Sequence, residues 1–310
     1  MICFDKLKII SSINYIKEID KTKFQSSSIN EILQYDKYKQ KIPSSLLIMV
    51  NYTNNELVIE FTSKILKDNF IHLINKDNIY ECLNNINQLD ICRLDIDNII
   101  NHSKIVKCDP VKDIVCQDIK ALQNYTNSNL SNYNKWKNKI YKNGFVIENV
   151  VGTSRYKKRI VVYDKGKELK KSDTFLHTLS DKKKYLLYYQ DKIRIEMNIN
   201  TEIQIRQLLD ITDNQLLNVL NSNANPIFAV LNEAVKETSV NTQISHSFKE
   251  YQKELVLKDC DFDLNKVEAK VRGLSSKNTQ IAKIMKPYRE LYHRLQENTI
   301  PMFDIRKLVA

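Results

Sequence analysis

Residue types able to break a phosphodiester bond cluster near the middle of the chain. Tyr163 closes the run Arg159-Ile-Val-Val-Tyr, Lys165 and Glu168 follow at once, and Glu196 lies between Ile195 and Met197. A phenol ionises near pH 10, so it needs help to act as a nucleophile at neutral pH. Lys165 and Lys167 are close in sequence, and positive charge favours the phenolate. Asp95, Glu168 and Glu196 offer hard oxygen ligands that suit Mg²⁺ or Mn²⁺, ions that polarise a phosphate. A tyrosine, carboxylates and positive charge are the parts of a metal-dependent phosphodiester cutter. Plainer readings stay open: a strand tyrosine packed in the core, and a Glu196 paired with Arg194 or Lys165, since a lone buried carboxylate is costly.

The surroundings are basic. Arg155, Lys157, Lys158, Arg159, Lys165, Lys167, Lys170 and Lys171 stand against Asp164 and Glu168, within a chain of net charge +11. Such a balance favours a polyanionic partner, most simply nucleic acid. Tyr156, Tyr185, Tyr188 and Tyr189 interleave with the cations, as stacking platforms for unpaired bases would. Tyr156 and Tyr189, the latter in a Y-x-x-K spacing with Lys192, are rival nucleophiles. Tyr163 is preferred because an apolar strand fixes its position, whereas Tyr185, Tyr188 and Tyr189 fall in a Lys-rich connection. The histidines are isolated, and the six cysteines form no C-x-x-C pair, which argues against zinc and against a secreted disulfide scaffold. No apolar run reaches the roughly 18 residues of a membrane span, and no signal-peptide pattern opens the chain. A soluble, cytoplasmic protein with reduced thiols and no membrane contact is expected.

These residues need a sheet to hold them. The β-branched run Ile160-Val161-Val162 predicts a strand ending at Tyr163, broken by Gly166. Residues 193–198 alternate, with Ile193, Ile195 and Met197 on one face and Arg194, Glu196 and Asn198 on the other. Further strands are expected at 4–10, 44–50, 56–61, 89–97 and 145–151, the second and third joined by a polar hairpin turn. In the strand at 89–97, Arg93, Asp95 and Asp97 would share a face. Helices are expected at 63–66 and 77–88, weakly within 116–136, and then repeatedly from 202 to 295. The reading is an α+β fold: a mainly antiparallel sheet with flanking helices in a catalytic domain over 1–200, then an all-helical domain over 201–310. Lys283, Lys286 and Arg289 make the last helices basic and suited to DNA.

Thr153-Ser-Arg155, Arg159-Ile-Val-Val-Tyr163-Asp-Lys-Gly-Lys-Glu168-Leu169 and Arg194-Ile-Glu196 together resemble the gene II/gene X replication initiators of filamentous phages and related plasmids. These are rolling-circle initiators allied to the HUH tyrosine endonucleases. Cys92-Arg-Leu-Asp95 and Glu60-Phe-Thr-Ser-Lys-Ile-Leu66 resemble two further segments of that family, so the likeness spans roughly residues 55–200. The resemblance implies that Tyr163 is the nucleophile, with Glu168 closing its motif and Asp95 and Glu196 on active-site strands. Metal ligation by these carboxylates would replace the histidine pair of typical HUH enzymes, absent here, and Asp68-Asn69 stands where a His-Asn pair would be expected. It further implies nicking of an origin strand, a 5′-phosphotyrosyl link and a 3′-OH primer. Arg155, Lys157, Lys158, Arg159, Lys167 and Arg194 would hold the DNA, with host helicase and polymerase as partners. A non-catalytic DNA-binding protein of a mobile element and a relaxase-like transfer protein are the alternatives.

Overall fold

Alternation along Phe4–Ser12 (β1) buries Phe4, Leu7 and Ile9 on one side, the period-two signature of a half-buried strand. The structure is a computed structural model that describes residues 2–40, 43–116, 118–131, 135–150, 156–236, 247–260, 263–274, 280–297 and 304–310. The strands that follow are β2 (Ile16–Ile19), β3 (Gln25–Ile29), β4 (Ile32–Gln40), β5 (Leu46–Asn51), β6 (Glu56–Thr62), β7 (Cys92–Leu94), β8 (Lys104–Val115), β9 (Trp136–Tyr141), β10 (Gly144–Asn149), β11 (Arg159–Asp164) and β12 (Lys192–Asn198). A ten-stranded sheet runs β3-β4-β5-β6-β1-β8-β12-β11-β10-β9, while β2 and β7 form a separate ribbon. Neighbours pair antiparallel throughout. With helices packed on this sheet and a helical C-terminal region, the expected α+β class is what the chain adopts.

The sheet's two faces differ around β12. Ile193, Ile195 and Met197 are buried on one side. There Lys112, opposite Ile195 on β8, donates to the Val309 carbonyl at 2.9 Å, tying the helix Ile305–Val309 to the sheet. The other face carries Arg194, Glu196 and Asn198, as the alternation predicts. Helices Lys165–Lys170, Asp173–Leu176 and Lys182–Tyr188 gather with Phe70 around a cluster of Leu169, Phe175, Leu176, Leu179, Tyr185 and Tyr189.

Two compact units result, Met1–Lys236 with Asp304–Ala310, and Glu237–Phe303. β12 is the last strand in sequence among the described residues, and the first unit also includes helices Glu202–Leu209, Leu216–Leu220 and Pro226–Ala234. The second unit holds helices Phe248–Asp259, Leu264–Leu274 and Ile281–Glu297 around Leu257, Val267, Met285 and Leu291. None of the described helices is long and apolar enough to cross a membrane, and all six cysteines are free.

Two local expectations are corrected, and one strand is added. The strand expected over 89–97 shrinks to β7, because Asp95 turns the chain into helix Ile96–His102 by capping it, a role aspartate fills readily. The connection bearing Tyr185 and Tyr189 is helical and packed, and both rings are buried, so neither is an open stacking platform. β8, near the middle of the sheet, was not anticipated: Pro110 disguises it, since proline seldom sits in a central strand. Pro110 is tolerated where β1 bulges between Phe4 and Lys6.

Candidate active site

Register alone assembles the site. Tyr163 on β11 lies opposite Arg194 on β12, which lies opposite Asp113 on β8. One step along the strands, Val161, Glu196 and Val111 form the next row, and Arg159 faces Asn198 beyond it. Directly paired residues share a face, so Tyr163, Arg194, Glu196, Asn198 and Asp113 all project to one side. The bulge in β1 carries Asp5, which reaches the same group.

Arg194 is the hub and is fully buried. Its Nε and one Nη donate to the two Asp113 carboxylate oxygens at 2.7 Å each, and its other Nη donates to Asp5 at 2.6 Å. Tyr189 accepts a further bond at 3.3 Å. Burial disfavours the guanidinium's charge, but Asp5 and Asp113 outweigh it and hold the charged form. Bidentate pairing of this kind fixes direction as well as charge. Arg194, expected to hold DNA, is instead the internal clamp that locks β12 to β8 and β1.

Tyr163 donates its phenolic hydrogen to Glu196 Oε2 at 3.2 Å. Glu196 is held from its other oxygen by Asn198 Nδ2 at 3.1 Å, and the same amide donates to Asp109 at 3.1 Å. Burial pushes the Glu196 carboxyl up to about 7, with Asp5 and Asp109 adding like-charge repulsion. The Tyr163 phenol is raised well above its ordinary value, first by burial and then by Glu196. The lysines therefore do not make a standing phenolate, contrary to the sequence-based expectation.

Lys165 is buried, donates to Glu168 at 2.6 Å, and stands 5.8 Å from the Tyr163 ring centre. Burial lowers its ammonium's pKa and Arg194 adds to the effect. Glu168 also faces Lys64 at 3.7 Å and accepts from Ser172 at 3.3 Å; burial would raise it, but Lys165 and Lys64 hold it below the ordinary range. Gly166, expected to break the strand, starts a helix capped by Asp164 and is needed for close approach, since a Cβ there would lie 2.6 Å from the Tyr189 carbonyl oxygen.

The remaining expected residues divide. Asp95 is not brought to Glu196: it accepts from the Asn98 N–H, pairs with Lys17 at 3.1 Å, and its own N–H donates to the Tyr15 carbonyl, beyond the far end of β1. From Asp5 to Ser12 alone, the strand covers roughly 23 Å. Lys157 and Arg159 flank Glu148, each at 4.0 Å, and Arg159 also donates to Asn198 at 2.6 Å. Lys158 pairs with Glu233 at 2.7 Å, and Lys167 with Asp164 at 2.8 Å. Lys283, Lys286 and Arg289 are exposed on one helix of the second unit, the last two near Glu290 and Glu268. Arg155 lies outside the described residues.

Sequence reasoning missed Asp5, Asp109, Asp113 and Asn198. Asn198 was visible in the alternation with Glu196, whereas the three aspartates only become partners through β1 and β8. No curated protein and no solved structure matches the chain. Residues 49–217 match the family model for the N-terminal region of the gene II replication-associated protein. That stretch covers more than half of the sequence and contains Tyr163, Glu196 and strands β8 to β12, though not β1 with Asp5. The chain belongs to this gene II family of rolling-circle replication initiators.

Proposed function

We propose that this initiator nicks one strand of its element's origin with Tyr163 as nucleophile and Glu196 as general base. The observation that carries the reading is the 3.2 Å hydrogen bond from the Tyr163 hydroxyl to a carboxylate whose pKa is about 7. A base poised near working pH is the most effective partner for a neutral phenol. As Tyr163 Oη bonds to phosphorus, its proton passes to Glu196 Oε2. The bond to the 3′ oxygen breaks, leaving a 5′-phosphotyrosyl link. Lys165, anchored by Glu168 and eased toward proton loss by burial, gives the departing oxygen its proton and frees a 3′-OH to prime synthesis. Asn198 keeps Glu196 aimed, and the Arg194 clamp holds β12, which carries Glu196, against β8 and β1.

Mg²⁺ or Mn²⁺ is the expected cofactor, but the donors do not assemble a site for it. Asp95 is remote, Asp5 and Asp113 are committed to Arg194, and Glu168 is committed to Lys165. Among the described residues, no three His, Cys, Asp or Glu side chains converge to hold a metal ion.

Single-turnover nicking of a labelled origin strand across pH 5.5–8.5 tests the assignment. The rate should rise about tenfold per pH unit below about 7 and level off above it. Glu196→Gln should be slow and lack that rise. A Glu196→Gln protein with the parent's rate and profile would sink the general-base role.

A further inference from the structure

One row on the site face runs Tyr141, Gly144, Tyr163, Arg194 across β9, β10, β11 and β12, each residue directly opposite the next. Gly144 leaves the stretch between the two tyrosines bare. It must, because a Cβ there would lie 2.1 Å from the Val162 carbonyl oxygen and 2.9 Å from Tyr163 Cα, both backbone atoms. At a strand spacing of about 4.8 Å, the strands bearing the two tyrosines lie roughly 10 Å apart with only glycine between them, which leaves room for the flat face of a base.

β9 is an edge strand of the sheet, and Tyr141 on it is 56% exposed. Lys139 and Lys137 follow on the same face, opposite Val146 and Glu148, and both are exposed. Glu148 is buried with Lys139, Lys157 and Arg159 around it. Three cations about one carboxylate leave two positive charges, and Lys137 adds another. The strip is thus electropositive, carries an open aromatic ring, and ends on the row that holds the Tyr163 hydroxyl.

We propose that this strip is the track of single-stranded DNA. Tyr141 stacks on the base beside the scissile phosphate, Lys139 and Lys137 meet successive phosphates, and the gap at Gly144 admits the strand to Tyr163. Single-stranded DNA is the fitting occupant because its bases offer open faces to an aromatic ring and its phosphates complement a cationic groove. The inference rests on the nicking reading for why a strand is led to Tyr163, but its test reads binding alone.

The test uses the full chain carrying Tyr163→Phe, with a fluorescent mixed-sequence single strand and the matching duplex as probes, followed by anisotropy. Adding Tyr141→Ala should weaken single-strand binding about 5- to 150-fold, the loss of one stacked base, and leave duplex binding unchanged. Adding Lys137→Ala with Lys139→Ala should flatten the log–log salt dependence by about 1.4. An oligonucleotide containing iodouracil should photocrosslink to the peptide holding Tyr141 in the protein with Tyr141 intact. Single-strand affinity within twofold after Tyr141→Ala, with an unchanged salt slope, would overturn the track whether or not the protein nicks. If the unsubstituted chain fails to nick while Tyr141 and the lysines carry single-strand binding, the nicking reading falls and the track stands.

Discussion

Replacing Glu196 with Gln should slow nicking and at the same time stabilise the protein above neutral pH. Glu196 is pushed from an ordinary 4.5 to about 7 by burial and by Asp5 and Asp109. Between those values the folded state holds a proton that the unfolded chain has released, so its contribution to stability declines as pH rises. It is fully present below about pH 4.5 and gone above about 7. At about 1.4 kcal/mol per pH unit, the total is about 3 kcal/mol. Gln keeps the side chain's shape and can still accept from Asn198, but does not titrate. The stability gap, variant minus parent, should therefore widen by about 1.4 kcal/mol per unit from pH 5 to 7 and flatten beyond. Trp136, the sole tryptophan, is buried on β9 of the first unit, so urea titrations followed by its fluorescence report on the unit that matters. A gap that stays constant across this range would refute the raised carboxyl, and with it the poised base.

Arg194→Met should destabilise the first unit by about 3–5 kcal/mol, because Asp5 and Asp113 would be left buried without their partner; urea midpoints read by Trp136 fluorescence check this. Asp95→Asn should leave nicking of a labelled strand intact, since Asn preserves a helix cap and the residue stands far from Tyr163. Replacing Lys283, Lys286 and Arg289 together with Ala should flatten the salt dependence of duplex binding by about two to three units if those side chains meet phosphates; an unchanged slope would assign that helix to another partner.

The strands holding Tyr163 and Glu196 were legible because β-branched runs and strict alternation report a half-buried strand directly. Alternation also placed Arg194, Glu196 and Asn198 on one face, which is correct. It could not distinguish a cation facing solvent from one clamped by Asp5 and Asp113, because those partners lie on strands distant in sequence. β8 escaped notice since Pro110 interrupts its pattern, and without β8 neither Asp109 nor Asp113 can be placed. Asp95 misled for a local reason: three residues of β7 look like the middle of a longer strand until the helix cap is recognised. The lysines near Tyr163 suggested a lowered phenol pKa, but burial outweighs sequence proximity, and Glu168 and Asp164 take up Lys165 and Lys167. Charge in a sequence is countable, whereas its desolvation is a property of the fold.

The most direct measurement is to incubate the chain with single-stranded origin DNA, digest the product and locate the nucleotide-bearing peptide by mass spectrometry. One adduct is expected, on Tyr163, and none with Tyr163→Phe, whose fold and DNA affinity should remain those of the parent. Tyr189 is fully buried against Arg194, so Tyr189→Phe should still form the adduct. An adduct on Tyr156, Tyr188 or Tyr189, or one that survives Tyr163→Phe, would contradict the assignment of the nucleophile.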